Sequence, residues 1–233
     1  MSPHPHWRHS RDSTWWAPRA ADWWMGILFA IGASCFAIGA MPGYVSAVGV
    51  AADGITFFVG SIFFTTAGYL QYCEAGDGHL VSWHPGRPEW VAAAVQFVGT
   101  LFFNASTFHA MEQHLSASEV NQLVWRPDVL GSICFLVASS IAWYCVAGRW
   151  WSWRPRHLAW WIAGLNLIGS IAFGVSAAAA KVVTESAQVR NVTLMNLGTF
   201  IGALGFLIAA VLLLPERKRV ELRAGTGSRP ATA

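Results

Sequence analysis

Six long apolar runs leave this chain few ways to fold. They lie at about Asp22–Met41, Gly54–Tyr72, Trp90–His109, Asp128–Cys145, Ala159–Ala179 and Met195–Leu214. Each is close to the roughly 20 residues that a helix needs to cross the hydrocarbon core of a bilayer. None alternates in polarity, and all are too long for barrel strands. In lipid only a helix or a closed barrel satisfies its own backbone polar groups, so helices remain. Composition agrees: 12% of the residues are charged, against about 25% in average soluble domains, too few to cover a surface facing water. The fold class is therefore all-α, a polytopic membrane protein with six transmembrane helices.

The runs share an internal pattern. Aligned on one glycine they read GASCFAIGA from Gly32, GSIFFTTAG from Gly60, GTLFFNAST from Gly99, GSICFLVAS from Gly131, GSIAFGVSA from Gly169 and GALGFLIAA from Gly202. Every copy has glycine, then a small residue, then phenylalanine at the fifth place. At about 100° per residue the glycine, the phenylalanine and the small residues at the eighth and ninth places share one helix stripe. No hydrophobic force drives helices together in lipid, and small residues there let backbones approach closely. The glycines are thus expected to receive the phenylalanines of neighbouring helices. Phe36, Phe64, Phe103, Phe135, Phe173 and Phe206 should form a central layer, the alternative being a ligand groove with the same lining.

The pattern also groups in pairs. Trp23, Trp90 and Trp160 stand nine residues before the glycines of the odd spans, and alternate glycines are about 70 residues apart. The chain thus reads as three tandem helical hairpins, 22–76, 90–148 and 159–214, sharing one orientation. Repeats of this kind imply pseudo-threefold symmetry about the membrane normal rather than an inverted repeat. The paired pattern FVGSIFF…GY and LGSICFLVAS resembles the YrhK-like family of small bacterial integral membrane proteins, which carry a two-span unit with a Gly-Ser-x-x-Phe core in each helix. The resemblance covers Trp23 to Leu214 as three units, with Ala33, Thr100 and Ala203 where the serine would stand. It implies the fold and no activity.

Charge orients the spans. Twelve of the 15 Lys and Arg fall in residues 1–21, in the second and fourth connections and in the tail; Arg126, Lys181 and Arg190 are the exceptions. Basic residues stay on the cytoplasmic side, so both termini are expected there. Thirteen of the 14 Trp share that side, all but Trp125. Indoles favour the headgroup layer, which makes anchoring the simpler reading and a cytoplasmic docking surface the sharper one. Residues 1–21, cations interleaved with indoles, read as an interfacial segment with no cleavable signal. Residues 215–233 read as a basic, disordered cytoplasmic tail. Two Lys against 13 Arg suggest a GC-rich bacterial genome, hence a bacterial inner membrane.

The span interiors hold no Asp, Glu, Lys or Arg, which argues against an ion-coupled pump or a charged selectivity ring. Their polar residues are neutral. Gln96, Asn104 and Thr107 lie in the third span, Asn166 in the fifth and Asn196 in the sixth. Gln96 and Asn166 each stand three places before their glycine, a match that suggests hydrogen bonds between helices. A polar lining for a small solute by Gln96, Asn104 and Asn166 is the alternative. Gln71, at the inner end of the second span, is expected to be wetted.

Metal chemistry has one hint, His109, Glu112 and His114 in FHAMEQHL, beside a loose cluster of His4, His6 and His9; zinc asks for three or four well-placed ligands. No cofactor, nucleophilic triad, phosphate loop or nucleic-acid module is legible. The leading expectation is a non-enzymatic scaffold or accessory subunit with a protein partner at its cytoplasmic face. Its alternative is a transporter or channel for a small neutral or lipophilic solute. An enzyme acting through His109 and Glu112 comes third.

Overall fold

The computed structural model describes residues 21–112, 114–148 and 153–227. Six helices are long and apolar enough to cross a membrane. They are α1 (Ala21–Gly39), α3 (Val50–Ala75), α4 (Pro88–His109), α6 (Arg126–Ala147), α7 (Leu158–Ala179) and α8 (Val192–Gly227). The chain is an all-α polytopic protein. The connections carry little else: a short helix α2 (Tyr44–Val48), a single turn α5 (Ala117–Glu119) running into a π-helical stretch Val120–Trp125, and a two-residue ladder of β1 (Val182–Val183) and β2 (Gln188–Val189).

The long helices close into a ring. Each packs against two neighbours, in the order α1, α3, α4, α6, α7, α8 and back to α1. The outward faces are apolar and open: Ile31, Ile62, Leu101, Ile133, Ile171 and Ile201 are all exposed. A contiguous apolar exterior of this kind suits lipid and not water. We call the end of the ring that carries Arg87, Arg154 and Arg156 the basic end and the other the far end.

Within each hairpin the two stripe glycines mark the closest approach. A Cβ on Gly32 would stand 2.7 Å from the Phe64 ring, and one on Gly60 would stand 2.9 Å from the Phe36 ring. The same exchange joins Gly99 to Phe135 at 2.8 Å, Gly131 to Phe103 at 3.2 Å, Gly169 to Phe206 at 3.2 Å and Gly202 to Phe173 at 2.7 Å. Backbones meet there too: Gly202 O would be 3.0 Å from a Cβ on Gly169, and Gly169 O equally close to one on Gly202. The residue after each glycine is deeply enclosed. Ala33, Ser61, Thr100, Ser170 and Ala203 are fully buried and Ser132 nearly so.

Hydroxyls supply the hydrogen bonds between the helices. Ser61 Oγ and Thr107 Oγ1 lie 2.9 Å apart across α3 and α4. Ser176 Oγ donates to Met195 O at 2.8 Å and meets Thr199 Oγ1 at 2.7 Å, joining α7 to α8. At the far end Asn121 clamps the third hairpin, donating to Val182 O at 2.8 Å and accepting from Val182 N at 3.0 Å. Trp125 Nε1 donates to Ala177 O at 2.9 Å, and Lys181 Nζ lies over the same indole.

Two boundaries differ from the sequence expectation. The fourth span starts at Ala117, about three turns earlier than Asp128, because α5 and the π-helical stretch lead straight into α6. Ser116 and Glu119 form a capping box that starts this extension, satisfying donors a helix start leaves bare. The tail differs as well: α8 continues through Pro215 to Gly227 rather than becoming irregular. The residues that follow Pro215, Glu-Arg-Lys-Arg and then Glu-Leu-Arg-Ala, are mostly strong helix formers. The interfacial segment expected at 1–21, with His4, His6 and His9, lies outside the described residues but for Ala21, as do residues 228–233.

Candidate functional site: an axial cavity beneath a phenylalanine plug

The six stripe phenylalanines meet on the axis of the ring as two stacked triangles. Phe36, Phe103 and Phe173 from the odd spans touch one another, with centroids 6.4, 5.9 and 5.9 Å apart. Phe64, Phe135 and Phe206 from the even spans do the same, at 6.2, 5.9 and 5.5 Å. Each odd ring also meets the even ring of its own hairpin, at 5.6, 5.1 and 5.7 Å. Two layers result because the phenylalanine stands four residues after its glycine in both helices of a hairpin, and those helices run in opposite directions. The odd triangle is displaced toward the far end and the even one toward the basic end. Between them only about 10 Å³ is empty, about the least space that holds one water. The axis is closed.

Below the even triangle, toward the basic end, the axis is hollow. A cavity of about 110 Å³ opens there. Phe206 forms part of its floor, and Met25, Phe29, Ala209, Ala210 and Leu213 supply an apolar wall from α1 and α8. The opposite wall holds Gln71 from α3, Gln96 from α4 and Asn166 from α7, with Ile162 beside them. No lining residue is titratable. The cavity takes one carboxamide from each of the three hairpins.

Register explains this convergence. Phe29, Gln96 and Asn166 each precede their plug phenylalanine by seven residues, while Gln71 and Leu213 follow theirs by seven. Seven residues are close to two helical turns, so all five stand on the axial face, each two turns to the basic side of its own phenylalanine. Reading the stripe two turns further along each even span places Gln71, the residue expected to be wetted at the inner end of the second span, in the cavity wall. Its Oε1 is buried and has no hydrogen-bond partner.

The remaining polar candidates divide. The structure brings Gln96 and Asn166 together in the cavity wall, and neither makes a side-chain hydrogen bond among the described residues. The interhelical bonds expected of them fall to serine and threonine. Asn104 stands apart, one residue past Phe103 and absent from the cavity lining, with its Oδ1 buried and without a partner. His109 Nδ1 and Glu112 Oε1 form a pair 2.7 Å apart, half exposed at the far end. Among the described residues no group of three or more His, Cys, Asp or Glu is placed to hold a metal ion.

The basic end carries a pattern that the glycine alignment passed over. Trp83, Pro85 and Trp90 share the spacing Trp-x-Pro-x-x-x-x-Trp with Trp153, Pro155 and Trp160; Trp16, Pro18 and Trp23 repeat it, their first part outside the described residues. In both described copies the first indole stands edge-on against the second, with centroids 5.5 Å apart for Trp83–Trp90 and 5.3 Å for Trp153–Trp160. Trp83 and Trp153 are each 78% exposed.

No family model matches the chain, and no curated protein or solved structure matches it.

Proposed function

We propose that this integral membrane protein binds a small neutral solute in its axial cavity, acting as a carrier or receptor within the bilayer. The carrying observation is the cavity itself, a hollow closed at one end by the phenylalanine plug and faced by three unpaired carboxamides. Gln71 Oε1 is fully buried with no hydrogen-bond partner, and an acceptor left so is costly unless a donor reaches it. The closed axis speaks for a carrier or a binding protein rather than an open channel. In this reading each hairpin is one unit of the YrhK-like kind, tripled, with the basic end and both termini in the cytoplasm. Native mass spectrometry of protein released from its own membrane tests it. Wild type is expected to carry a reproducible small-molecule adduct, and Ala209→Leu, which fills the cavity, to fly bare. Bare wild-type chain in every preparation would end the proposal.

A docking role at the basic end is the second reading, and the exposed Trp83 and Trp153 favour it. Two large indoles held edge-on in the same geometry make a repeated apolar surface bordered by Arg87, Arg154 and Arg156. For a scaffold, the double variant Trp83→Ala/Trp153→Ala should lose a partner that co-purifies with wild type at fixed stoichiometry. Unchanged co-purification, or quenching of both indoles by brominated lipid in the intact complex, would return these residues to simple anchoring.

A further inference from the structure

We infer that the cavity selects neutral molecules that donate hydrogen bonds along one edge and are apolar along the other, of the size of a short-chain primary amide. This rests on the proposed binding role and adds the class of ligand.

Four observations lead to it. The first is two-sidedness. Phe29, Gln96 and Asn166 hold equivalent places in the three hairpins, two turns from the plug, yet one is a hydrocarbon and two are amides. A threefold frame with one apolar side and one polar side fits a ligand that has two unlike edges. The second is charge. No ionisable residue lines the cavity, and an ion entering it would lose hydration with no counter-charge to replace it. The third is the sense of the hydrogen bond. Gln71 Oε1 is a buried acceptor with no donor, and Gln96 and Asn166 are also free of side-chain partners among the described residues. A carboxamide oxygen can be satisfied only by an N–H or O–H. The fourth is size. The cavity measures about 110 Å³, somewhat less than the roughly 150 Å³ cavity known to admit benzene. About four to six heavy atoms fit.

Isobutyramide and N,N-dimethylacetamide provide a direct test. They are isomers of equal size with the same carbonyl, and only the first can donate. Saturation-transfer NMR on the full-length protein in lipid nanodiscs would read both, with isobutylammonium as the charged control. Isobutyramide is expected to bind at least about tenfold more tightly than its isomer, the scale set by leaving one buried acceptor unpaired. Gln71→Leu is expected to cut isobutyramide binding by about tenfold and to leave the isomer's weak signal unchanged. Ala209→Leu should remove the signal of both. Should Gln71→Leu fail to fold, Gln71→Glu serves instead, and it should admit isobutylammonium, which wild type refuses. Equal binding of the two isomers, lost in Ala209→Leu, would overturn the donor rule and leave a solute-binding cavity in place. Binding of isobutylammonium to wild type would overturn neutrality. Binding of no probe, together with a bare chain in native mass spectrometry, would overturn both this inference and the function it rests on.

Discussion

Gly99→Leu is expected to abolish recovery of folded protein. A Cβ at this position would stand 2.8 Å from Cys134 Cβ and 2.8 Å from the Phe135 ring, so even the first added carbon forces α6 away from α4. The γ-branched remainder of a leucine would have no room at all. Overpacking of a tight contact costs about 1–3 kcal/mol for small additions, and Gly99→Ala should fall in that range. Gly174 lies in α7 with nothing within 4 Å of a Cβ. Gly174→Ala should therefore be neutral or gain up to about 1 kcal/mol from helix propensity. Size-exclusion profiles and thermal melts in one detergent separate the three variants. A Gly99→Leu protein that melts with wild type would show that the hairpin crossing tolerates separation, and the close-packing account would fail.

Phe135→Ala is expected to cost about 3–5 kcal/mol, the range for removing a buried aromatic ring and leaving the hole. Phe135 is 2% exposed. It touches both other members of its own triangle and Phe103 of the other, with centroids between 5.1 and 6.2 Å. Its removal weakens both layers at once and enlarges the space between them. Reversible unfolding in mixed micelles would measure the loss, and Phe135→Leu should recover most of it. A loss under about 1 kcal/mol for the alanine variant would mean that neighbouring helices collapse into the gap. The plug would then be a soft gate rather than a rigid floor.

These two variants bear on the scaffold, whereas the cavity variants bear on the ligand. Gly99 and Phe135 act wherever three hairpins must close into a ring. Gln71 lies two turns and Ala209 about one turn to the basic side of its own plug phenylalanine, and both line the cavity. Loss of binding without loss of fold is therefore obtainable, which makes the functional proposal testable separately from the architecture.

Much of the architecture is determined by the sequence alone, and the reason is the solvent. In a bilayer an apolar span of this length must be a helix, and association must come from packing, so small residues and the rings they receive recur at fixed helical spacing. Gly32 to Phe36 and its five counterparts reveal the spans, their inward faces and their pairing. The opposite holds for the site. Gln96 and Asn166 could be recognised as equivalent, but whether they bond each other or face a void depends on what stands at the third equivalent place and on how far apart the helices lie. The tertiary structure decided this: Phe29 takes the third place, the hydroxyls of Ser61, Thr107 and Ser176 carry bonds between helices, and the amides are left to the cavity. Gln71 joins them because α3 runs opposite to α4 and α7, so a residue seven after its phenylalanine falls on the basic side of the plug, as do residues seven before theirs. Spacing along one helix is written in the chain. Which residues of antiparallel helices come to line one cavity is decided only once they are packed.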